Sequence, residues 1–226
     1  MTPDKETEYK KVIYGLKEKY SGIIKVYCGL EADMYSKVDL SGYDYLIGSV
    51  HYIIKDGMLI DFDRTDGKTP EANICRIIAD NFDGNGMDFI KAYYDTLAKL
   101  PEYGCYDIVG HFDLPVKFNE RLHFVDEESL QYQKYAIEAA ENLAGKVNLF
   151  EINTGALARG YRKTPYPAPM ILKELKQLGF GVVISSDCHN KKYLDYGFEE
   201  ASALLKECGF TERFVLSDTG FQPVAL

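Results

Sequence analysis

"FGVVISSDCH", residues 180–189, decides how the rest of the chain is read. It is a short, continuous apolar run, the pattern of a strand buried on both faces in a parallel sheet. It ends abruptly in Asp187 and His189, two side chains for which a core strand has no use. The pattern recurs upstream. Glu31 follows "VYCGL", His51 follows "LIGSV" and His111 follows "DIVG". Three of the four histidines therefore stand at the ends of apolar runs. Carboxylates and imidazoles in such places form the ligand set of zinc, manganese or iron. One histidine there would be read as a hydrogen-bonded core residue, but three together with two acids point to a metal or catalytic site.

The segments between these runs have helical period. They include "EYKKVIYGLKEKY" (8–20), "PEANICRIIADNF" (70–82), "GMDFIKAYYDTLAKL" (86–100) and "EESLQYQKYAIEAAENLAG" (127–145). "PAPMILKELKQLG" (167–179) and "YGFEEASALLKECG" (196–209) complete the set. Strands are expected in "GIIKVYCGLEAD" (22–33), "YDYLIGSVHYII" (43–54), "YDIVGHFDL" (106–114), "KVNLFEINTG" (146–155) and "FGVVISSDCH". "DGMLIDF" (56–62) reads as a short hairpin arm and "RFVLSD" (213–218) as a final strand. Strand–helix alternation predicts an α/β fold, one domain over 1–226, with a parallel sheet and helices outside it. A barrel or partial barrel fits best, and such folds carry their chemistry in loops at the carboxyl ends of the strands.

Composition narrows the classes. Of the 226 residues, 46% are hydrophobic, enough for a sizeable core. The net charge of −9, with lysines scattered among acids, argues against a nucleic-acid partner. No apolar run approaches the roughly 18 residues a membrane span needs, and "MTPDKETEYKK" lacks a signal-peptide core. Five cysteines (Cys28, Cys75, Cys105, Cys188, Cys208), without C-x-x-C spacing, read as reduced and mostly buried thiols of a cytoplasmic protein.

The motifs "GLEAD", "GSVHYI", "YDIVGHFDL", "LFEINTGALARGYRKTPYP" and "SSDCH", in this order, resemble the PHP (polymerase and histidinol phosphatase) superfamily of metal-dependent phosphoesterases. "GSVHYI", then "DIVGHFD", then "EINTGA" is most similar to the histidinol-phosphate phosphatase branch. The resemblance implies a distorted (β/α)7 barrel holding up to three divalent metals. On it, Glu31 bridges two metals, His51 and His111 ligate the second, Asp187 binds the first and His189 the third. Asp187 and His189 would share one face of an extended segment, with Cys188 turned away. The family pattern also has an H-x-H-T strand and an Asp-His strand near its start, neither of which is in this sequence. Fewer than three metals are therefore expected, with Glu31, His51 and His111 the most complete set and His123 no substitute. Two absent strands would leave a barrel of this type incomplete at its N-terminus, and an apolar open edge favours a homo-oligomer, most simply a dimer.

The reaction implied is hydrolysis of a phosphate monoester, L-histidinol phosphate in the closest branch, with Asp187 or His189 assisting proton transfer. Weak or absent activity is expected without the missing ligands. A phosphodiester, a nucleotide or a phosphotyrosine protein are alternative substrates, and a catalytically impaired metal-binding homologue is the alternative from another class. In "TGALARGYRKTPYP", Arg159 and Arg162 are the candidate phosphate ligands, because a guanidinium grips phosphate bidentately where Lys163 cannot. Glu151 and Asn153 stand at the same strand end as candidates for orienting ligands, and Asp113 reads as either a support for His111 or a turn cap.

Overall fold

The structure, a computed structural model, describes residues 3–63 and 69–226. The chain begins with helix α1 (Pro3–Lys19) and continues through β1 (Gly29–Asp33), β2 (Tyr45–Ser49) and the arm β3 (Tyr52–Lys55) and β4 (Met58–Asp61). Helices α2 (Pro70–Asn81) and α3 (Gly86–Leu97) precede β5 (Ile108–Val109). A short α4 (Asn119–Leu122) and the long α5 (Leu130–Leu143) lead to β6 (Leu149–Asn153). The chain ends with α6 (Gly155–Ala158), α7 (Pro169–Gln177), β7 (Gly181–Ser185), α8 (Phe198–Glu207), β8 (Glu212–Ser217) and β9 (Gly220–Ala225).

Local chemistry fixes the boundaries. Thr69 caps α2, its hydroxyl accepting from the Ala72 N–H, and Pro70 supplies a first residue that needs no donor. The Asn85 side chain accepts from the N–H groups of Met87 and Asp88 to open α3, and Ser129 does the same for Tyr132 in α5. The expected arm at 56–62 forms. Asp56 and Gly57, both at positive φ, make the two-residue turn between β3 and β4.

Five strands pair in parallel in the order β1-β2-β5-β6-β7. Alternation along them divides the sheet into two faces. Leu30, Ala32, Leu46, Val109 and Phe150 turn to one face, where Ile77, Phe89, Tyr93, Tyr94, Tyr132, Ala136 and Ile171 from α2, α3, α5 and α7 form the main core. Val182 and Ile152 continue this layer against Leu172, Ala201 and Leu205 of α7 and α8. The other face carries Tyr45, Ile47, Ile108, Leu149 and Val183 toward the start of the strands. Nearer the carboxyl ends, register places Glu31, Ser49, Glu151 and Asn153 on this same face. The apolar part faces structure; the polar part forms the site.

The described parallel strands form an open sheet with β1 and β7 as its edges. Three expectations need correction. The final strand does not extend that sheet: β8 pairs with β9 in an antiparallel hairpin, which lays Phe214 and Phe221 over the face opposite the main core. Gly181 makes this possible, since a Cβ there would lie 2.5 Å from the Phe214 ring, and Phe221 meets Tyr45 edge-on at 6.3 Å. The stretch 43–54 is two strands, because the chain turns at Val50 and His51 to leave the sheet. Among the cysteines, all unbridged, only Cys28 and Cys208 are buried, while Cys75 and Cys105 are exposed. No helix among the described residues is long and apolar enough to cross a membrane.

In the main core the Tyr94 hydroxyl donates to that of Tyr132 at 3.0 Å, both rings being fully buried. Tyr132→Phe should destabilise the chain by about 1–3 kcal/mol, because Tyr94 is left with a buried donor and no acceptor. The double change Tyr94→Phe/Tyr132→Phe should lie closer to wild type. Urea denaturation decides it: a double variant destabilised by the sum of the two single changes would contradict this account.

Candidate functional site

The residues at the strand ends converge. Glu31 leaves β1 with its carboxylate toward β2, where the Ser49 hydroxyl donates to Oε1 at 2.8 Å. His111, just beyond β5, places Nε2 2.9 Å from the same Oε1. His51, beyond β2, lies with Nε2 3.4 Å from Oε1 and Nδ1 3.4 Å from Asp33 Oδ2. Asp33 also accepts from the His51 backbone N–H at 2.8 Å, so one carboxylate holds both the backbone and the ring of this histidine. The two rings meet edge-on, 4.9 Å apart.

Electrostatics follows from this crowding. Partial burial pushes the Glu31 carboxyl up, but hydrogen bonds from His111 and His51 outweigh it and hold the group well below the usual carboxylate range. For His51, burial disfavours the charged ring, yet Asp33 and Glu31 overcome it and push its pKa up to about 10. One ligand atom from each of Glu31, His51 and His111 lies within 4.8 Å of the others. Mixed oxygen and nitrogen donors at this spacing suit a divalent ion, and an outer carboxylate on His51 is the usual support of a metal-ligating histidine.

Glu151 sets the position of His111. Its Oε2 accepts the His111 backbone N–H at 2.9 Å and the Asn153 side-chain amide at 3.0 Å. Asn153 in turn accepts from the Gly155 N–H at 2.8 Å, tying the start of α6 to the same network. Burial raises the Glu151 carboxyl, with the nearby His111 ring and N–H working against it.

Facing this group across a cavity of about 310 Å3 stand Arg159, Asp187 and His189, with Lys117 and Tyr166 on its walls. Arg159 pairs with Asp187 at 2.7 Å, and Lys117 with Asp63 at 2.7 Å. Asp187 has φ 43, so the segment after β7 is not extended. The expected alternation therefore fails at this residue, although Asp187 and His189 still lie close, with His189 Nε2 3.9 Å from Oδ1.

Six of the seven expected site residues line this one cavity. Arg162 does not. It is buried, donating to the Val116 carbonyl at 2.8 Å and pairing with Glu127 at 3.0 Å. Asp113 is buried beneath the site, holding the Ala168 N–H at 2.9 Å without a capping bond. His123 is an exposed residue ending α4, away from the cavity. Sequence reasoning missed Asp33, Asp63, Lys117, Tyr166 and Ser49. Asp33 was accessible in principle, since i and i+2 in "GLEAD" share a face. The others sit in loops or unmarked positions and carry no such signal.

This is an α/β protein with a parallel central sheet and an acid–imidazole cluster at its carboxyl end. Its fold is that of the crystal structure of the "putative histidinol phosphatase hisK" from Listeria monocytogenes, at a TM-score of 0.65 and 18% identity, covering 88% of this chain and 77% of that one. No family model matches the sequence. Two curated relatives do. The chain is 27% identical over 213 residues to the "Probable histidinol-phosphatase" of Deinococcus radiodurans, covering 89% of this chain and 72% of the relative. It is 26% identical over 219 residues to the protein of the same name from Schizosaccharomyces pombe, covering 90% of this chain and 66% of that relative. The chain is thus a homologue of proteins named as histidinol-phosphatases, consistent with its PHP-type motifs.

The raised pKa of His51 has a sign that can be checked without metal. The charge on His51 contributes stability that is fully present below about pH 6.5 and lost as pH rises through about 10. In chelator, the stability gap between wild type and His51→Gln should shrink steadily from pH 6.5 to 9.5. A gap that widens over this range would reverse the assignment.

Proposed function

We propose that the chain is a histidinol-phosphatase-like, metal-dependent hydrolase of phosphate monoesters. The observation that carries this reading is the meeting of Glu31, His51 and His111 with Arg159, Lys117, Asp187 and His189 around one cavity. The five parallel strands correspond, in this reading, to part of a PHP-type (β/α)7 barrel whose closure they do not themselves supply.

Glu31, His51 and His111 would hold the ion, with Asp33 and Glu151 fixing the two histidines. A divalent ion there would acidify a water and offset charge on the phosphoryl oxygens. Arg159 and Lys117 bring positive charge to the walls of this cavity, where a phosphate ester would be gripped and oriented. His189, whose side chain is 76% exposed, and Asp187 are the groups at hand to orient a water that protonates the leaving alkoxide.

Histidinol phosphate fits the wider surroundings. Beyond Glu31 and His51, the cavity adjoins a cleft of about 710 Å3 lined by Asp33, Asp61 and Asp63 with Tyr35 and Tyr52. Acid and aromatic faces of this kind favour the positively charged amine that an amino alcohol carries. The phosphate and the amine would then lie on opposite sides of Glu31.

Hydrolysis of histidinol phosphate and of p-nitrophenyl phosphate, measured with added zinc or manganese, tests the reading. Turnover should depend on metal and fall by 100-fold or more in His111→Ala. Activity that survives both chelation and that substitution would refute a metal-centred mechanism.

Asp61→Asn should raise KM for histidinol phosphate several-fold while leaving p-nitrophenyl phosphate, which has no amine, little changed. Equal effects on both substrates would remove the acidic cleft from substrate recognition.

A further inference from the structure

The resemblance assigns Asp187 and His189 to further metal ions, but in this chain another cation already meets them. Arg159 Nη2 donates to Asp187 Oδ2 at 2.7 Å. Its Nη1 reaches the Asp187 backbone carbonyl at 3.1 Å and His189 Nδ1 at 3.2 Å. A carboxylate oxygen, a carbonyl oxygen and a ring nitrogen thus converge on one guanidinium. Because guanidinium nitrogens only donate, His189 Nδ1 must serve as the acceptor, and the lone pair that could ligate a metal is engaged.

The local backbone is shaped around this contact. Arg159 ends α6, and Asp187 takes a left-handed φ of 43 after β7 to face it. Gly155 leaves the space. A Cβ at this position would lie 2.7 Å from Arg159 Nη2 and 3.0 Å from Asp187 Oδ2. The side chains of Arg159 and Asp187 are only 26% and 23% exposed, so water screens the pair weakly. A guanidinium cannot be neutralised by losing a proton, and a divalent ion placed against Asp187 would sit beside its positive charge. Among the described residues, Glu31, His51 and His111 are the group of three or more ligand atoms that gathers within 4.8 Å; Asp187 and His189 are not in it.

We propose that Arg159 is the resident cation of the Asp187–His189 pair, standing where a further metal ion would otherwise bind, so that the chain takes one divalent ion. This rests on the reading of Glu31, His51 and His111 as a metal centre. Three of the five N–H donors of Arg159 are engaged, which leaves two for a phosphate, and the pairing holds the fork in place for it. Arg159 is then at once a substitute for a metal and a fixed anion clamp.

Metal content of the full chain, by equilibrium dialysis against zinc or manganese followed by elemental analysis, tests this. Wild type should retain one ion. Asp187→Asn should also retain one, with affinity within about threefold of wild type, whereas Arg159→Gln should bind a second ion at least tenfold more tightly than wild type does. Two or more ions in wild type, or loss of an ion in Asp187→Asn, would overturn the proposal and leave the metal centre itself standing. A folded Arg159→Gln with no gain in second-ion affinity would overturn it equally. If circular dichroism shows Arg159→Gln unfolded, the Asp187→Asn count decides alone. Wild type that binds no ion removes the metal reading and this proposal with it.

Discussion

The site depends on a hydrogen bond inside the sheet, from the His111 backbone N–H to the carboxylate of Glu151. Strand β5 offers only Ile108 and Val109 to the ladder, so backbone pairing alone would release the chain before it reached His111. A carboxylate from β6 takes over where the ladder ends. Burying that carboxylate is costly, and the cost is offset because both a backbone donor and the Asn153 amide satisfy it. The ring of His111 is thereby set against Glu31, and Glu31 in turn organises His51 through the second imidazole contact.

The two faces of the sheet divide the work. One face takes the aromatic and aliphatic side chains of four helices and supplies most of the buried apolar area. The other is apolar only where the C-terminal hairpin covers it and polar where the strands end. Within the sheet, Glu31 is held by a neighbouring strand, through the hydroxyl of Ser49 on β2. The pKa values of Glu31 and His51 move in opposite directions: hydrogen bonds from His111 and His51 favour the Glu31 carboxylate, while Asp33 and then Glu31 favour the charged His51 ring.

Much of this was legible in the sequence because strand ends announce themselves. An apolar run that stops at His51, His111 or Asp187 fixes both the element and the side chain's place beyond its end, whereas Glu31 lies in the middle of β1, which starts only at Gly29. Parallel pairing then brings such ends together without further information. What was not legible depended on partners distant in sequence. Arg162 looked equivalent to Arg159 on composition alone, but Glu127, 35 residues away, draws it into the interior. Whether "RFVLSD" would join the sheet was decided by the following "TGFQPVAL", whose hairpin pairing competes with the edge of β7 and wins. The left-handed Asp187 was equally hidden, since an aspartate tolerates that conformation without a glycine to mark it.

The C-terminal hairpin has a mechanical consequence. The ladder bonds of β8 and β9 run between those two strands, and side chains such as Phe214, Phe221 and Leu226 attach them to the rest of the fold. The exposed ion pair between Lys25 and Asp218 adds one weak tether. The hairpin can therefore lift away as a unit without breaking any bond of the parallel ladder. Local opening of this kind would bare Ile47, Ile108, Leu149 and Val183 while the metal-competent residues beyond them kept their register. Amide exchange would then be set by two separate clocks, a fast one for the hairpin and a slow one for the sheet beneath it.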